Sequence, residues 1–140
     1  NPKLFYLGMQ DQWYTFNMFD AQAWYARDII LGKIKVPDIS VINADPLDRE
    51  EREDALEDDY ACIRYQADYI RELIAETDYP DFDVDAANEA FFLWKKHKKK
   101  NIMTFRDQGG YISPMDKSVS PAHNKSWKEE FDDRMEIYLK

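Results

Sequence analysis

One short apolar run, at residues 4–8, carries the clearest β-strand signal in the sequence. The run reads LFYLG, and its unbroken apolar and aromatic character is typical of a strand buried in a parallel sheet. Such a strand needs a neighbour on each side, but the other candidates, residues 34–36 and 39–42, are short and are separated by Pro37. We therefore expect the chain to be the C-terminal piece of a larger α/β protein whose other strands lie upstream.

A helix is expected soon after this strand, from about Asn17 to Gly32. Thr15 and Asn17 are both suitable N-caps, and Gly32 stands where a C-terminal glycine cap belongs. A strand, a loop and a helix in this order form the unit in which α/β folds bind ligands, beyond the carboxyl end of the strand. The polar and aromatic turn at residues 9–15 is therefore the candidate ligand-binding region.

A second helix is predicted to begin with Asp45 as N-cap and Pro46 as its first residue. Between residues 45 and 59 there are nine acidic residues and two basic ones, which is typical of a helix face in contact with water. From Tyr60 onward apolar residues recur at helical spacing, so we expect an amphipathic helix to continue to about Thr77.

A third helix is predicted to begin at Asp83 or Asp85 and to end in the lysine-rich run at residues 95–100. Lysines at a helix C-terminus complement the helix dipole, and this explanation is preferred to a nucleic-acid patch because no aromatic residues alternate with them. A long loop at about residues 101–126 suggests a binding role or a wrap over a partner subunit. Residues 127–139 have the spacing of a closing helix.

Charge and residue counts exclude several classes of function. The chain has 28 acidic against 19 basic residues, a net charge of −9, so neither nucleic acid nor an anionic membrane surface is an expected partner. No apolar run is long enough to span a membrane. With Cys62 as the single cysteine and His97 and His123 as the only histidines, no metal site is expected, and a reducing cytoplasm fits. Glycine-rich phosphate loops and nucleophile elbows are also missing, so the chain alone carries no complete catalytic constellation.

Several long stretches of sequence carry a family resemblance. They are the opening run NPKLFYLGMQDQWYTFNMFDAQAWYARDIILG and the later runs TDYPDFDVD, FFLWKKHKKKNIMTFRD and SWKEEFDDRMEIYLK. Together these runs resemble the C-terminal region of bacterial flavin-containing monooxygenases, and within that family the trimethylamine monooxygenase group. The resemblance covers nearly the whole chain.

This resemblance implies the C-terminal part of an α/β flavoprotein with two Rossmann-like dinucleotide-binding domains, one for FAD and one for NADPH. Residues 1–32 would close the FAD-binding domain, and residues 33–140 would form a helical C-terminal extension. The enzyme would oxygenate a soft nucleophile with O₂, most simply trimethylamine to its N-oxide, and would be a homodimer. The glycine fingerprints lie upstream in the family, so this chain should be inactive without the upstream part.

The resemblance also implies roles for residues of the first turn and helix. Gln12 and Thr15 would contact the flavin ring, and Phe16 and Asn17 would join Thr15 in placing hydrogen-bond donors at its anionic edge. Asp11, as a catalytic residue, would face the nicotinamide with Trp13. These assignments extend the expectation from the residues themselves, because a helix N-terminus offers unpaired N–H groups to an anionic group.

Farther along the chain, the resemblance implies that Trp94 lines the NADP cleft. On its pattern alone, Trp94 is instead a core residue of an amphipathic helix, and Asp11 is a residue that caps a turn.

Two other functions stay open from the sequence. A related flavin monooxygenase that acts on indole or a sulfur compound fits the same residues. A non-catalytic helical interaction module, which uses the acidic helix and the long loop, fits the absence of catalytic motifs. The loop at residues 108–120 departs from the family pattern at Gly109 and Gly110, so its role is open as well.

Overall fold

The structure, a computed structural model, describes residues 4–8 and 12–122 and is mainly helical. Its helices are α1 (Thr15–Ile30), α2 (Ile39–Asp54), α3 (Asp59–Ala75) and α4 (Val84–Lys100), followed by one short 3₁₀ turn (Phe105–Asp107). Within the described ranges the β-structure consists of one isolated antiparallel bridge, between Ile112 and Val119. The expectation of a mainly helical chain is confirmed. The predicted helix at 127–139 lies outside the described residues.

The buried strand predicted at residues 4–8 does not form in this structure. The segment has no regular secondary structure, and Leu4, Tyr6 and Leu7 are 55%, 70% and 47% exposed. A strand requires a partner for its backbone, and no other strand lies beside this segment in the described part of the chain. The segment lies instead against α1, where the Gly8 N–H donates to Gln22 Oε1 at 2.8 Å.

The hydrophobic core lies between α1, α3 and α4, with α3 in the middle. Met18, Ile63 and Ile70 are its largest fully buried side chains. On α3 the buried positions Ile63, Ala67 and Ile70 follow the helical spacing expected from the sequence, which is confirmed. Tyr14 joins this core from the residue just before α1.

The start of α1 differs from the prediction, whereas its end agrees. The N-cap is Tyr14, without a side-chain cap, rather than Thr15 or Asn17. Tyr14 is fixed by the core instead, because its buried hydroxyl donates to Asn88 Oδ1 at 2.6 Å. At the other end Gly32 adopts φ +73°, and the N–H groups of Gly32 and Lys33 bond to the carbonyls of Ile29 and Asp28. This is a Schellman motif, which requires the left-handed conformation that glycine adopts readily.

The long helix predicted from Asp45 to about Thr77 is two helices. The first, α2, begins seven residues earlier than predicted, at Ile39, and contains Pro46 in its interior. It ends at Asp54, and a new helix, α3, starts because the Asp58 side chain accepts a hydrogen bond from the Ala61 N–H at 2.8 Å. A capping carboxylate at this point satisfies an N–H group that a continuous helix would have bonded internally.

The acidic helix α2 has no buried residue and is held mainly by one arginine. Arg49 lies 2.8 Å from Asp45 and 3.0 Å from Glu72 on α3, and its guanidinium stacks over the Tyr69 ring. The nine acidic side chains of residues 45–59 are exposed, as predicted. No helix in the described ranges is both long and apolar enough to cross a membrane.

The start of α4 agrees with the sequence. Asp83 is its N-cap and accepts a hydrogen bond from the Ala86 N–H at 2.9 Å, whereas Asp85 lies within the first turn. The helix ends in the lysine run, at Lys100. The loop that follows places Tyr111 and Pro114 back against α4 and the loop before α1.

Candidate functional site

A cavity of about 530 Å³ opens between the loop before α1, one face of α4 and the loop after α4. Its walls are mostly apolar and aromatic, and they include two side-chain amides and one phenol. The lining residues are Gln12, Trp13, Asn17, Ala87, Ala90, Phe91, Trp94, Tyr111 and Pro114. A cavity of this size and character is typical of a site for a flat organic ligand.

Trp13 is held in the cavity wall from both sides. Its backbone N–H donates to Gln66 Oε1 of α3 at 2.7 Å. Its ring meets Phe91 at 6.3 Å and Trp94 at 6.4 Å between ring centroids, both edge-to-face. Because α3 fixes the backbone and α4 fixes the ring, Trp13 presents a rigid aromatic surface rather than a mobile side chain.

Trp94 is half-buried on α4 and combines the two roles that its sequence suggested. One side packs on the Phe105 ring, with centroids 5.3 Å apart, in the manner of a core residue. It also lines the cavity beside Trp13. The Lys98 Nζ lies 4.8 Å from the Trp94 ring centroid and the Lys95 Nζ lies 5.2 Å from that of Trp13, so each indole has an ammonium group over its ring.

Of the cofactor-binding residues predicted near the start of α1, three line the cavity together with Trp94 and two do not. Gln12, Trp13 and Asn17 line the same cavity as Trp94. Thr15 and Phe16 do not line it; both are exposed on the first turn of α1, Phe16 at 82%. Asp11 lies outside the described residues.

Sequence reasoning missed the remaining walls of the cavity. Phe91 has the helical spacing of a core residue, which concealed that it also faces the cavity, and Ala87 and Ala90 add the small side chains that leave space. Tyr111 and Pro114 come from a loop nearly a hundred residues after Trp13 along the chain. No local pattern indicates such a contact.

The phenol groups nearby act as neutral hydrogen-bonding groups. Burial raises the pKa of the Tyr111 phenol above its ordinary value, and burial also raises the pKa of the Tyr14 phenol. Both therefore keep their protons at neutral pH and do not serve as bases. Among the described residues no three His, Cys, Asp or Glu side chains converge on a possible metal site.

Comparison with known proteins gives one consistent result. No protein-family model matches the chain. Trimethylamine monooxygenase from Roseovarius sp. (strain 217) is 59% identical over 138 residues, and the one from Roseovarius nubinhibens is 59% identical over 140 residues. Each match covers 99% of this chain and 31% of the relative.

A solved structure agrees with these relatives. The crystal structure of Tmm from Pelagibacter sp. strain HTCC7211 superimposes with a TM-score of 0.83 at 42% identity, over 96% of this chain and 30% of that one. The family resemblance noted in the sequence is thus confirmed. Along nearly its whole length this chain is similar to trimethylamine monooxygenases, and it spans about a third of the length of those relatives.

Proposed function

We propose that this chain is the C-terminal portion of an FAD- and NADPH-dependent monooxygenase that converts trimethylamine to trimethylamine N-oxide. The single observation that carries the proposal is the identity of 42–59% to five trimethylamine monooxygenases over 99% of the chain. Identity at this level along an entire segment makes a shared fold and a shared chemistry the simplest explanation.

The cavity supports this proposal because its residues fit a nicotinamide ring. The indoles of Trp13 and Trp94 and the ring of Phe91 offer apolar contact to a flat heterocycle, while Asn17 offers an amide group to its carboxamide. FAD, when bound and reduced by NADPH, would supply the oxygen-transfer chemistry with O₂. The residues of this chain would hold NADP in place and exclude water from the site.

The exposed first turn of α1 supports a flavin contact outside the cavity. Thr15 and Phe16 lie on the surface of the chain at a helix N-terminus, where backbone dipoles favour an anionic group. We assign Thr15, Phe16 and Gln12 to the flavin side. The 82% exposed ring of Phe16 would then be covered by the FAD-binding region.

Asp11 is assigned to the nicotinamide side, as a catalytic residue. A carboxylate would repel the anionic edge of a reduced flavin, but it can accept hydrogen bonds from a carboxamide or a ribose hydroxyl. In the complete enzyme, Asp11→Ala should leave the bound-flavin spectrum unchanged and raise the release of hydrogen peroxide relative to amine oxidation. Unchanged coupling would show that Asp11 is only a turn residue.

The proposal extends to the organisation of the complete enzyme. Residues 1–32 would close the FAD-binding domain, where residues 4–8 would find strand partners, and residues 33–140 would form a helical extension. The whole would be a cytoplasmic homodimer with Rossmann-like domains. The exposed apolar side chains of residues 4–8 support the place of this segment within the FAD-binding domain, because the rest of that domain would cover them.

The experiment is an absorption spectrum of the purified full-length protein together with NADPH oxidation assays. A flavin spectrum and NADPH oxidation that depends on trimethylamine are expected. Activity on indole or a sulfur compound in place of the amine would keep the enzyme class and change the substrate. A protein with neither flavin nor NADPH oxidation would favour the non-catalytic interaction module.

A further inference from the structure

Residues 111–120, within the loop whose role the sequence left open, form a hairpin. Hydrogen bonds run from the Ser113 N–H to the Ser118 carbonyl at 2.8 Å and from the Ser120 N–H to the Tyr111 carbonyl at 2.9 Å. The turn is tightened by Asp116, whose carboxylate accepts from the Ser118 hydroxyl at 2.8 Å. Hydrogen bonds from Ser113 and Ser118 lower the pKa of Asp116 to about 2, so this carboxylate stays charged at neutral pH.

One acidic residue fixes the hairpin to the N-terminus of α4. The Asp83 N–H donates to the Pro114 carbonyl at 2.9 Å, and the Asp83 carboxylate pairs with the Lys117 ammonium while it caps α4 through Ala86. Because α4 carries Phe91 and Trp94, this arrangement sets the position of the hairpin relative to the aromatic wall of the cavity.

Tyr111 is fixed within this hairpin by its side chain and by its backbone. Its hydroxyl hydrogen-bonds with His97 Nδ1 at 2.9 Å, and the two rings meet edge-to-face with centroids 5.6 Å apart. Its backbone N–H donates to Ser120 Oγ at 3.1 Å. The ring therefore lines the cavity in one orientation.

We propose that the hairpin of residues 111–120 is a fixed wall of the cavity and that Tyr111 is a positioning residue for the ring that binds beside Trp13 and Trp94. The inference rests on the proposed function, in which that ring is the nicotinamide of NADP. A phenol oxygen has two lone pairs besides its proton, so the hydrogen bond with His97 leaves it able to bind a carboxamide N–H. Pro114 closes the same side of the cavity and limits the size of the ring that fits.

The test is calorimetric binding of NADP⁺ to the complete enzyme and to three variants. Tyr111→Phe keeps the ring and removes the hydroxyl, so binding should weaken about 3- to 10-fold, as expected for one hydrogen bond. Lys117→Met removes the partner of Asp83 and should weaken binding by a smaller factor. Met115→Ala, at an exposed position of the same hairpin that does not line the cavity, is the matched control and should bind as the parent does.

Kinetics separate positioning from a structural role. Tyr111→Phe should raise KM for NADPH with kcat within about twofold, while the melting temperature and the flavin content stay unchanged. Unaltered NADP⁺ affinity in Tyr111→Phe, or a joint loss of flavin and thermal stability, would overturn the inference and leave the proposed function standing. A parent enzyme that binds no NADP⁺ would overturn both.

Discussion

Asp28 is a carboxylate in the interior of the molecule, only 2% exposed, and two cations neutralise it. Arg27 Nε lies 2.7 Å from its Oδ1, and Lys33 Nζ lies 3.3 Å from the same oxygen. The hydrogen bond from Arg27 holds the pKa of Asp28 below its ordinary value. At the end of α1, Asp28 thus joins the helix to the Schellman turn, because Lys33 also bonds to the Asp28 carbonyl through its backbone.

We predict that Asp28→Asn lowers the melting temperature at neutral pH, because Arg27 and Lys33 lose their buried counterion. Because the pKa of Asp28 is lower in the native state than the unfolded value of 3.8, its ionised carboxylate stabilises the fold at pH values above 3.8. This stabilisation is lost as the pH falls through the native pKa of Asp28. The deficit of the variant should therefore be constant at neutral and mildly acidic pH and shrink below 3.8. Thermal unfolding followed across this range checks the result, and a deficit that does not depend on pH would contradict it.

Trp13 lies at the point where the aromatic wall meets the loop before α1. In the complete enzyme Trp13→Ala should weaken NADP retention by about fivefold or more and FAD retention much less, because stacking contributes about 1 kcal/mol. Trp24→Ala is the control, since Trp24 packs on Tyr79 and Arg27 away from the cavity. Equal loss of both cofactors in Trp13→Ala alone would indicate a collapsed loop instead.

At the scale of elements, the helices that the sequence predicted best are those whose local signals agree with their packing. The interior of α3 has a clear apolar period, and α4 has both a capping Asp83 and a basic C-terminus. The helix α2 was predicted less well because Pro46 is typical of a first turn, yet it lies inside the helix. Pro46 removes one intrahelical hydrogen bond, to the carbonyl of Ile42, and because this part of α2 is exposed, water can bond that carbonyl instead.

The break between α2 and α3 depends on the Asp58 cap, and this leads to a prediction. Asp58→Ala should lower the free energy of unfolding by about 1 kcal/mol, because the Ala61 N–H loses its acceptor. Asp58→Asn should retain most of the stability, since asparagine caps as well as aspartate. Glu57→Ala is the matched control, an adjacent exposed acid without a capping bond. Chemical denaturation of the complete enzyme measures the free energy of unfolding of the three variants. Equal losses in Asp58→Ala and Glu57→Ala would refute the role of the cap.

At the scale of the whole molecule, part of the site could be predicted from the sequence and part could not. The loop before α1 was predicted to bind a ligand because a helix start that follows an apolar run is a pattern visible in the local sequence. The wall made by Tyr111 and Pro114 depends on contacts between distant parts of the chain, which no periodicity encodes. The strand at residues 4–8 was predicted from an apolar run with its partner strands expected upstream, and a strand forms only where another strand offers its backbone.

The apolar surface of this chain leads to the last prediction. Several large side chains of residues 4–8 and of α1 and α2 are exposed, among them Phe16 at 82%, Ile39 at 68% and Leu47 at 64%. Exposed apolar surface on this scale marks regions that other parts of a protein cover, and the relatives are about three times as long as this chain.

The 140-residue chain, expressed alone, should therefore bind the dye ANS and unfold over a broad temperature range, although its core between α1, α3 and α4 is well packed. The full-length protein, at equal molar concentration, should bind much less dye, because its flavin- and NADP-binding regions would cover residues 4–8 and Phe16. Dye fluorescence and circular dichroism on both proteins measure this difference. A separate 140-residue chain that melts sharply and binds no more ANS than the full-length protein would show that these apolar surfaces need no cover.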